Sequence, residues 1–345
     1  MLHKSNPPDL LHSLAEFTGL IDRDDLAASL CITLFEMLQA DVMDFYRVTH
    51  RANQRPELHL LVEFDQQGIR QHSMEQLRAK QSPTPHTADG FLASALHSNS
   101  GLLIDPTGLR VILCLNRQNE LYALLDFRLK NGLSAADLRM LQGIVRIYEN
   151  HIALLDYGET DTLTGLLNRK TLERQLLKIV SSLQNLPSTE QLQQLSRDDE
   201  TNYYFLVVLD IDHFKRVNDK WGHLFGDEVL LTISQIKRQN FREVDYLFRF
   251  GGEEFVIILG PQTRASVAMA LERFREAVAQ HDFAQIGTIT ISGGITDIRP
   301  FEVLSMTLGR ADLALYAAKE GGRNQMLFFD TLPESQIQSG SEELF

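Results

Sequence analysis

Apolar residues across positions 9–40 recur at helical spacing: Leu10, Leu14, Phe17 and Leu20, then Leu26, Leu30, Leu34 and Leu38. The pattern predicts two helical stretches broken near Gly19-Leu20-Ile21-Asp22. Strand-like alternation follows at 42–48 and 58–64, then a polar stretch around Ser82-Pro83-Thr84-Pro85. Residues 111–115 and 121–127 read as a closing hairpin, so the first 130 residues form a mixed α/β module. From Ser134, an N-cap candidate followed by Asp137, a helix runs toward Tyr157. Its apolar positions Leu138, Leu141, Val145, Tyr148, Ile152 and Leu155 step 3, 4, 3, 4, 3, the a/d seam of a coiled coil between two copies of the chain. An amphipathic helix packed on its own domain is the alternative.

Beyond Gly158-Glu159-Thr160, helical patterns at 172–183, 224–238, 265–280 and 308–319 alternate with strand patterns at 203–211, 246–250, 255–259 and 287–292. Such alternation implies a sheet covered by helices. The polar stretch 184–202 reads as a solvated loop or helix extension. The expected organisation is a sensory module at 1–133, a helical linker at 134–158, a second α/β module at 159–332 and a polar tail at 333–345.

Composition narrows the function classes. With 345 residues the chain holds about two domains, and no apolar run approaches a membrane span. The N-terminus lacks a secretory signal, which places the chain in the cytoplasm. Cys31 and Cys114, far apart in apolar surroundings, read as buried thiols. The net charge of −13 opposes a broad basic face, so neither nucleic acid nor an anionic membrane is an expected partner.

The strand at 203–211 delivers Asp210 and Asp212 where the chain leaves the sheet, the place where open α/β sheets bind ligands. Solvated turn acids are the alternative for this pair. A second acidic pair, Glu253 and Glu254, follows Gly251-Gly252 in a two-strand pattern. Two adjacent glutamates in a tight turn repel each other unless a cation joins them. Asp210, Glu253 and Glu254 could supply the hard oxygen ligands of Mg²⁺, usually completed by substrate phosphates. Nucleotidyl transfer is the natural reaction.

The residues that carry a resemblance run from Asp161-Thr162-Leu163-Thr164-Gly165-Leu166-Leu167-Asn168-Arg169 to Lys319-Glu320-Gly321-Gly322-Arg323-Asn324. Between them lie Asp210-Ile211-Asp212-His213-Phe214-Lys215, Asn218-Asp219, Gly222-His223, Gly226-Asp227, Arg249-Phe250-Gly251-Gly252-Glu253-Glu254-Phe255, Ser292-Gly293-Gly294-Ile295 and Ala311-Asp312. This half resembles the catalytic domain of diguanylate cyclases, the GGDEF family, in a GGEEF form. The resemblance implies a palm-like α/β (α+β) fold, with a central sheet and flanking helices, that converts two GTP into cyclic di-GMP and two pyrophosphates. It implies that Asp210, the Ile211 carbonyl, Glu253 and Glu254 bind Mg²⁺ or Mn²⁺, and that Glu253 activates the 3′-hydroxyl, with Glu254 the second catalytic candidate. Asn218 and Asp227 match guanine-reading positions, and His223 a position near the nucleotide. Phe214, Lys215, Gly251 and Gly252 complete the implied substrate contacts. Lys319 and Arg323 would meet the phosphates, sharing a face if the last helix continues through both.

The product joins two nucleotides symmetrically, so the resemblance implies a homodimer, which the heptad helix would supply. Arg242-Glu243-Val244-Asp245 lies at the family's offset from the GGEEF turn, implying that Arg242 and Asp245 bind cyclic di-GMP as an inhibitor. A surface salt bridge is the alternative for this pair. The N-terminal half resembles a GAF-type sensory domain in its order of elements, with a PAS-like fold as the alternative. Its signal, a small molecule or a protein, is not legible. His50, His59, His72, His86 and His97 fit no metal box. An inactive cyclic di-GMP receptor, or a cyclase using another nucleotide, are the rival functions.

Overall fold

A computed structural model of the chain describes residues 15, 17–49, 56–72, 89–98, 100–117, 120–184, 203–242 and 245–333. The predicted loop at 184–202 beyond Gln184, His50, His86, Glu243, Val244 and most of the tail lie outside the described residues, as does most of the first predicted helical stretch. The chain divides into two compact units, Met1–Gly158 and Glu159–Phe345. No helix among the described residues is long and apolar enough to cross a membrane.

The first unit is built on an antiparallel sheet of order β3-β2-β1-β6-β5-β4. Its strands are β1 (Ala40–Thr49), β2 (Glu57–Asp65), β3 (Gly68–Gln71), β4 (Leu102–Ile104), β5 (Arg110–Arg117) and β6 (Glu120–Leu129). Three helices accompany it: α1 (Arg23–Leu38), α2 (Gly90–Ala95) and α3 (Ala135–Glu159). Period-two alternation sends Met43, Phe45, Leu113, Leu125 and Phe127 to one face, where residues of α1 and α3 join the core. The intervening Val48, Ile112, Cys114 and Leu124 pack on the other face with Leu92 and Ala95 of α2. Cys31 and Cys114 are free and buried, and they lie in the clusters on opposite sides of this sheet. The predicted break near 19–22 is a helix start, because the Asp22 carboxylate caps the Asp24 and Asp25 amides.

The intermolecular seam predicted for the long helix is corrected. Ser134 and Asp137 do form a reciprocal cap, Ser134 N–H donating to Asp137 Oδ2 at 2.8 Å and Asp137 N–H to Ser134 Oγ at 3.2 Å. However, Leu141, Ile144, Tyr148 and Ile152 are 1–3% exposed and belong to the core of the first unit. Three of these positions satisfy the heptad, but Ile144 does not, and the heptad residue Val145 is only partly buried. The helix is thus a wall of its own unit rather than a separate linker at 134–158.

The second unit has the sheet order β12-β11-β8-β10-β9-β7. Its strands are β7 (Leu167–Asn168), β8 (Tyr203–Ile211), β9 (Tyr246–Arg249), β10 (Glu254–Gln262), β11 (Ile291–Asp297) and β12 (Met326–Phe328). The helices are α4 (Arg169–Gln184), α5 (Phe214–Trp221), α6 (His223–Asn240), α7 (Arg264–Gln280) and α8 (Leu304–Glu320). Residues of α6 and α7 build the core on one face and those of α4 and α8 on the other. β8 is central, antiparallel to both β10 and β11, which matches its unbroken apolar run.

The strand predicted at 287–292 instead spans Ile291–Asp297 and runs straight through Gly293-Gly294. These glycines stand where a side chain has no room. A Cβ on Gly294 would lie 2.0 Å from the Ala311 carbonyl oxygen of α8, and one on Gly293 2.7 Å from Leu209 Cδ2. Glycine read as a strand breaker is here the residue that lets a helix settle on the sheet.

Candidate active site

The C-terminal end of β8 fixes the centre of the site. Asp210 is opposite Glu254 of β10 and Ser292 of β11 in the two ladders. Lys319, in the last turn of α8, places Nζ 3.0 Å from Asp210 Oδ1. Burial pushes the Asp210 carboxyl up, Lys319 pulls against it, and the charges of Glu254 and Asp212 add to the rise. Asp212 has a different environment. It accepts from Thr290 Oγ1 and Ser292 Oγ, both at 2.7 Å, and from the Asn324 amide at 3.0 Å. Its oxygens are committed to fastening the chain beyond α8 to the sheet, whereas Asp210 Oδ1 meets only Lys319 among the described residues.

The glycine-rich turn closes by a bond from Glu254 N–H to the Gly251 carbonyl at 3.2 Å. Arg249 grips it from behind, donating from Nη2 to the Gly252 carbonyl at 2.9 Å. The same guanidinium donates from Nη1 to Asp161 Oδ1 at 3.1 Å. Burial pushes Asp161 up, but the Thr164 amide and hydroxyl and Arg249 outweigh it, leaving this carboxyl below its usual range. Glu253 is half-buried and Glu254 exposed. Burial and then the Asp210 charge raise the Glu253 carboxyl, with Lys319 opposing.

The carboxylate oxygens of Asp210, Glu253 and Glu254 fit a divalent cation in donor chemistry. They are not drawn together: among the described residues no three His, Cys, Asp or Glu side chains are gathered to hold a metal ion. Lys319 takes Asp210 Oδ1, and the Glu254 charge adds to the rise of the Glu253 carboxyl. Ile211 is buried in the core, so only its backbone carbonyl could serve a metal.

On one side, α5 and α6 carry the implied base-reading groups. Asn218 and Asp227 are both half-buried, and among the described residues neither side chain has a hydrogen-bond or ion-pair partner. His223 and Lys215 are exposed. Phe214 is 5% exposed and packs in the core, leaving only its backbone for a ligand. Gly251 and Gly252 sit in the turn, Gly252 fully at the surface. Arg323 is corrected: α8 ends at Glu320, and Arg323 adopts φ 64°, so it shares no helical face with Lys319. Its amide donates back to the Ala318 carbonyl at 3.0 Å, folding the chain over the helix end.

Arg242 and Asp245 lie at the turn before β9. Arg242 N–H donates to Asp245 Oδ2 at 2.9 Å, and Asp245 Oδ1 accepts from the Gly260 amide at 3.2 Å. Asp245 is therefore held by backbone, and the Arg242 side chain is exposed. In the first unit, His59 is buried beside Thr49, its Nε2 3.0 Å from the hydroxyl, and His97 bonds the Ala93 carbonyl of its own helix.

Asp312 was quoted in the Ala311-Asp312 motif but given no task by sequence reasoning. Burial and the Glu254 charge raise its carboxyl to about 6, with Lys319 opposing. Its distance from the other acids in sequence gave no signal, since only the packing of α8 on β11 brings it near. Arg249 was quoted within a motif but given no task, although a cation immediately before a glycine turn could have suggested one.

Residues 159–325 match the family model described as diguanylate cyclase, GGDEF domain. The chain is 41% identical over 170 residues to the diguanylate cyclase DgcP of Pseudomonas aeruginosa, covering 48% of this chain and 23% of that one. It is 34% identical over 189 residues to the diguanylate cyclase DgcZ of Escherichia coli K12, covering 52% and 58%. The chain thus spans between about a quarter and three-fifths of these relatives. Among solved structures, the GGDEF domain of DgcB from Caulobacter crescentus in complex with c-di-GMP is 32% identical, with a TM-score of 0.43, covering 50% of this chain and 96% of that one.

Proposed function

We propose, from the premise that residues 159–325 form a GGDEF domain of the diguanylate cyclase family, that the protein joins two GTP into cyclic di-GMP. The observation that carries this reading is the Asp210–Lys319 pair at the end of β8, whose charges also act on Glu253 of the glycine turn, in a unit where the Asn218 and Asp227 side chains have no partner among the described residues. In the reaction each 3′-hydroxyl oxygen bonds to the α-phosphorus of the other nucleotide, and the bond to pyrophosphate breaks.

Each residue has a task within that scheme. Glu253 takes the 3′-hydroxyl proton, a task favoured by a carboxyl raised through burial and the Asp210 charge. Asn218 and Asp227 pair with the guanine edge and discriminate against adenine. Lys319 and Arg323 hold phosphate oxygens, Lys319 after exchanging its bond to Asp210 for one to the nucleotide. Asp210, Glu253, Glu254 and the Ile211 carbonyl would hold Mg²⁺ or Mn²⁺, which supplies Lewis-acid stabilisation of charge on the phosphates.

Two copies of the unit must meet for the product to form. Arg242 and Asp245 are the proposed inhibitory contact for cyclic di-GMP, supported by the exposure of the Arg242 side chain. The first unit, GAF-like in reading, acts as the regulatory input for a small molecule or a protein. The decisive experiment incubates the full chain with GTP and Mg²⁺ and identifies products by mass. Cyclic di-GMP and pyrophosphate are expected, and Glu253→Gln should lower turnover by about 10²–10⁴ with the fold retained. A chain that binds cyclic di-GMP and leaves GTP intact would be a receptor instead.

A further inference from the structure

Gly226 lies in the first turn of α6, buried, next to Asp227 and without a left-handed backbone. A Cβ built there would stand 2.1 Å from Asn218 Oδ1, 3.2 Å from Asn218 Cγ and 3.2 Å from Phe214 Cζ. The Asn218 amide therefore lies directly on the bare backbone of α6. Gly222, with φ 88°, turns the chain between the helices, and its N–H donates to the Asn218 carbonyl at 2.9 Å. The backbone of Asn218 is thus fixed from one side while its side chain rests on Gly226.

We propose that Gly226 is a specificity-determining position, acting through Asn218: the missing Cβ is what lets that amide lie where it meets the base of the nucleotide. The inference rests on the reading of Asn218 as a guanine contact. Two physical effects separate the role of Gly226 in the fold from its role in the site. Glycine within a helix is unfavourable relative to alanine, so Gly226→Ala has no helical reason to destabilise. The nearest atom in the way is the far end of a flexible side chain, which can rotate aside, while the Phe214 ring at 3.2 Å has only a few tenths of an ångström to give. The fold should accept the extra methyl, whereas the amide must leave its place.

Asn218 also offers the chemistry that guanine recognition needs. An amide carries both an acceptor and donors, and among the described residues this one has no competing partner. A site built to pair with polar edge groups rejects a base that leaves them unpaired. Rotating the amide away removes that discrimination and leaves the phosphate contacts intact.

The test compares wild type, Gly226→Ala, Asn218→Ala and the double variant as full chains. Gly226→Ala should melt at or above the wild-type temperature, raise KM for GTP by about tenfold or more, and lose a similar factor in preference for GTP over ATP. Adding Gly226→Ala to Asn218→Ala should change neither quantity further, because the two act as one. Additive losses would overturn the inference. Independently of nucleotide, the Asn218 side-chain amide signal, assigned by its loss in Asn218→Ala, should move in Gly226→Ala. An unmoved signal refutes the positioning role even if guanine preference is present. Wild type without guanine preference refutes the guanine reading and this inference with it, even if the signal moves.

Discussion

Asp126 of the first unit and Asp210 of the second are both buried, in contrasting settings. In the first, Asp126 is 3% exposed and sits in a fork of Arg110, whose Nε and Nη2 donate at 3.0 and 2.6 Å. Asp156, near the end of α3, is likewise shared by Arg23 and Arg117, both at 2.6 Å. Guanidinium pairs of this kind return much of what burial takes from a carboxylate. In the second unit Asp210 has one ammonium at 3.0 Å and the charges of Glu254 and Asp212 for company. Nearby Lys237 is 0% exposed and has two backbone carbonyls, of Phe248 and Val256 at 3.3 and 3.4 Å, in place of a carboxylate. Asp126 is a matched pair, whereas Asp210 sits among a surplus of acid.

The largest expected effect sets Asp126 against Asp210. Asp126→Asn removes the buried carboxylate from the Arg110 fork and leaves Arg110 its bond to Asp89 at 2.5 Å, so it should lower unfolding free energy by about 3 kcal/mol. Asp210→Asn should leave stability unchanged or raised, because it relieves repulsion, while abolishing turnover. Denaturant titrations of both variants decide the matter, and an equal loss in both would erase the distinction.

Lys237→Met comes next. Replacing a buried ammonium by an apolar chain of similar length should stabilise by about 1–3 kcal/mol. Burial holds Lys237 well below its ordinary 10.5, so from that lowered value up to 10.5 the unfolded chain binds more protons than the folded one. Wild-type stability should therefore rise with pH across this window, and the variant should lose that slope. A slope unchanged in Lys237→Met would mean the ammonium is better compensated than its surroundings indicate.

Asp312→Asn should give the smallest effect. With its carboxyl raised to about 6, folded Asp312 keeps a proton that the unfolded chain has released between about 4 and 6. Stability from this group is present at lower pH and is lost as pH rises through about 6. Unfolding measured at pH values on either side of that window should show a steeper decline in wild type than in the variant.

The legible parts of the molecule were those where one physical signal acted alone. The run Tyr203–Ile211 could only be a central strand, and the structure places one there. Legibility failed where two causes share a pattern. Leu141, Tyr148 and Ile152 serve a heptad and a helix wall equally well, and only the burial of Ile144 separates them. Gly293-Gly294 resembles a break until the Ala311 carbonyl is seen against it. The four-residue spacing of Lys319 and Arg323 assumed a helix that Gly321-Gly322 ends between them. Asp312, Arg249 and Gly226 stand within quoted motifs, but the groups they face are remote in the chain, so the motifs alone did not show what they touch.

Arg249 joins the glycine turn to Asp161, a residue 88 positions earlier in the chain. The turn bearing Glu253 is therefore finished by a segment that precedes every strand of its own sheet. A fragment cut after Asp161 would retain the ladders of β8, β9, β10 and β11, yet its glycine-rich turn would lose one of the two anchors of Arg249. Any excised version of this unit must begin upstream of Asp161 if that turn is to be held as in the whole chain.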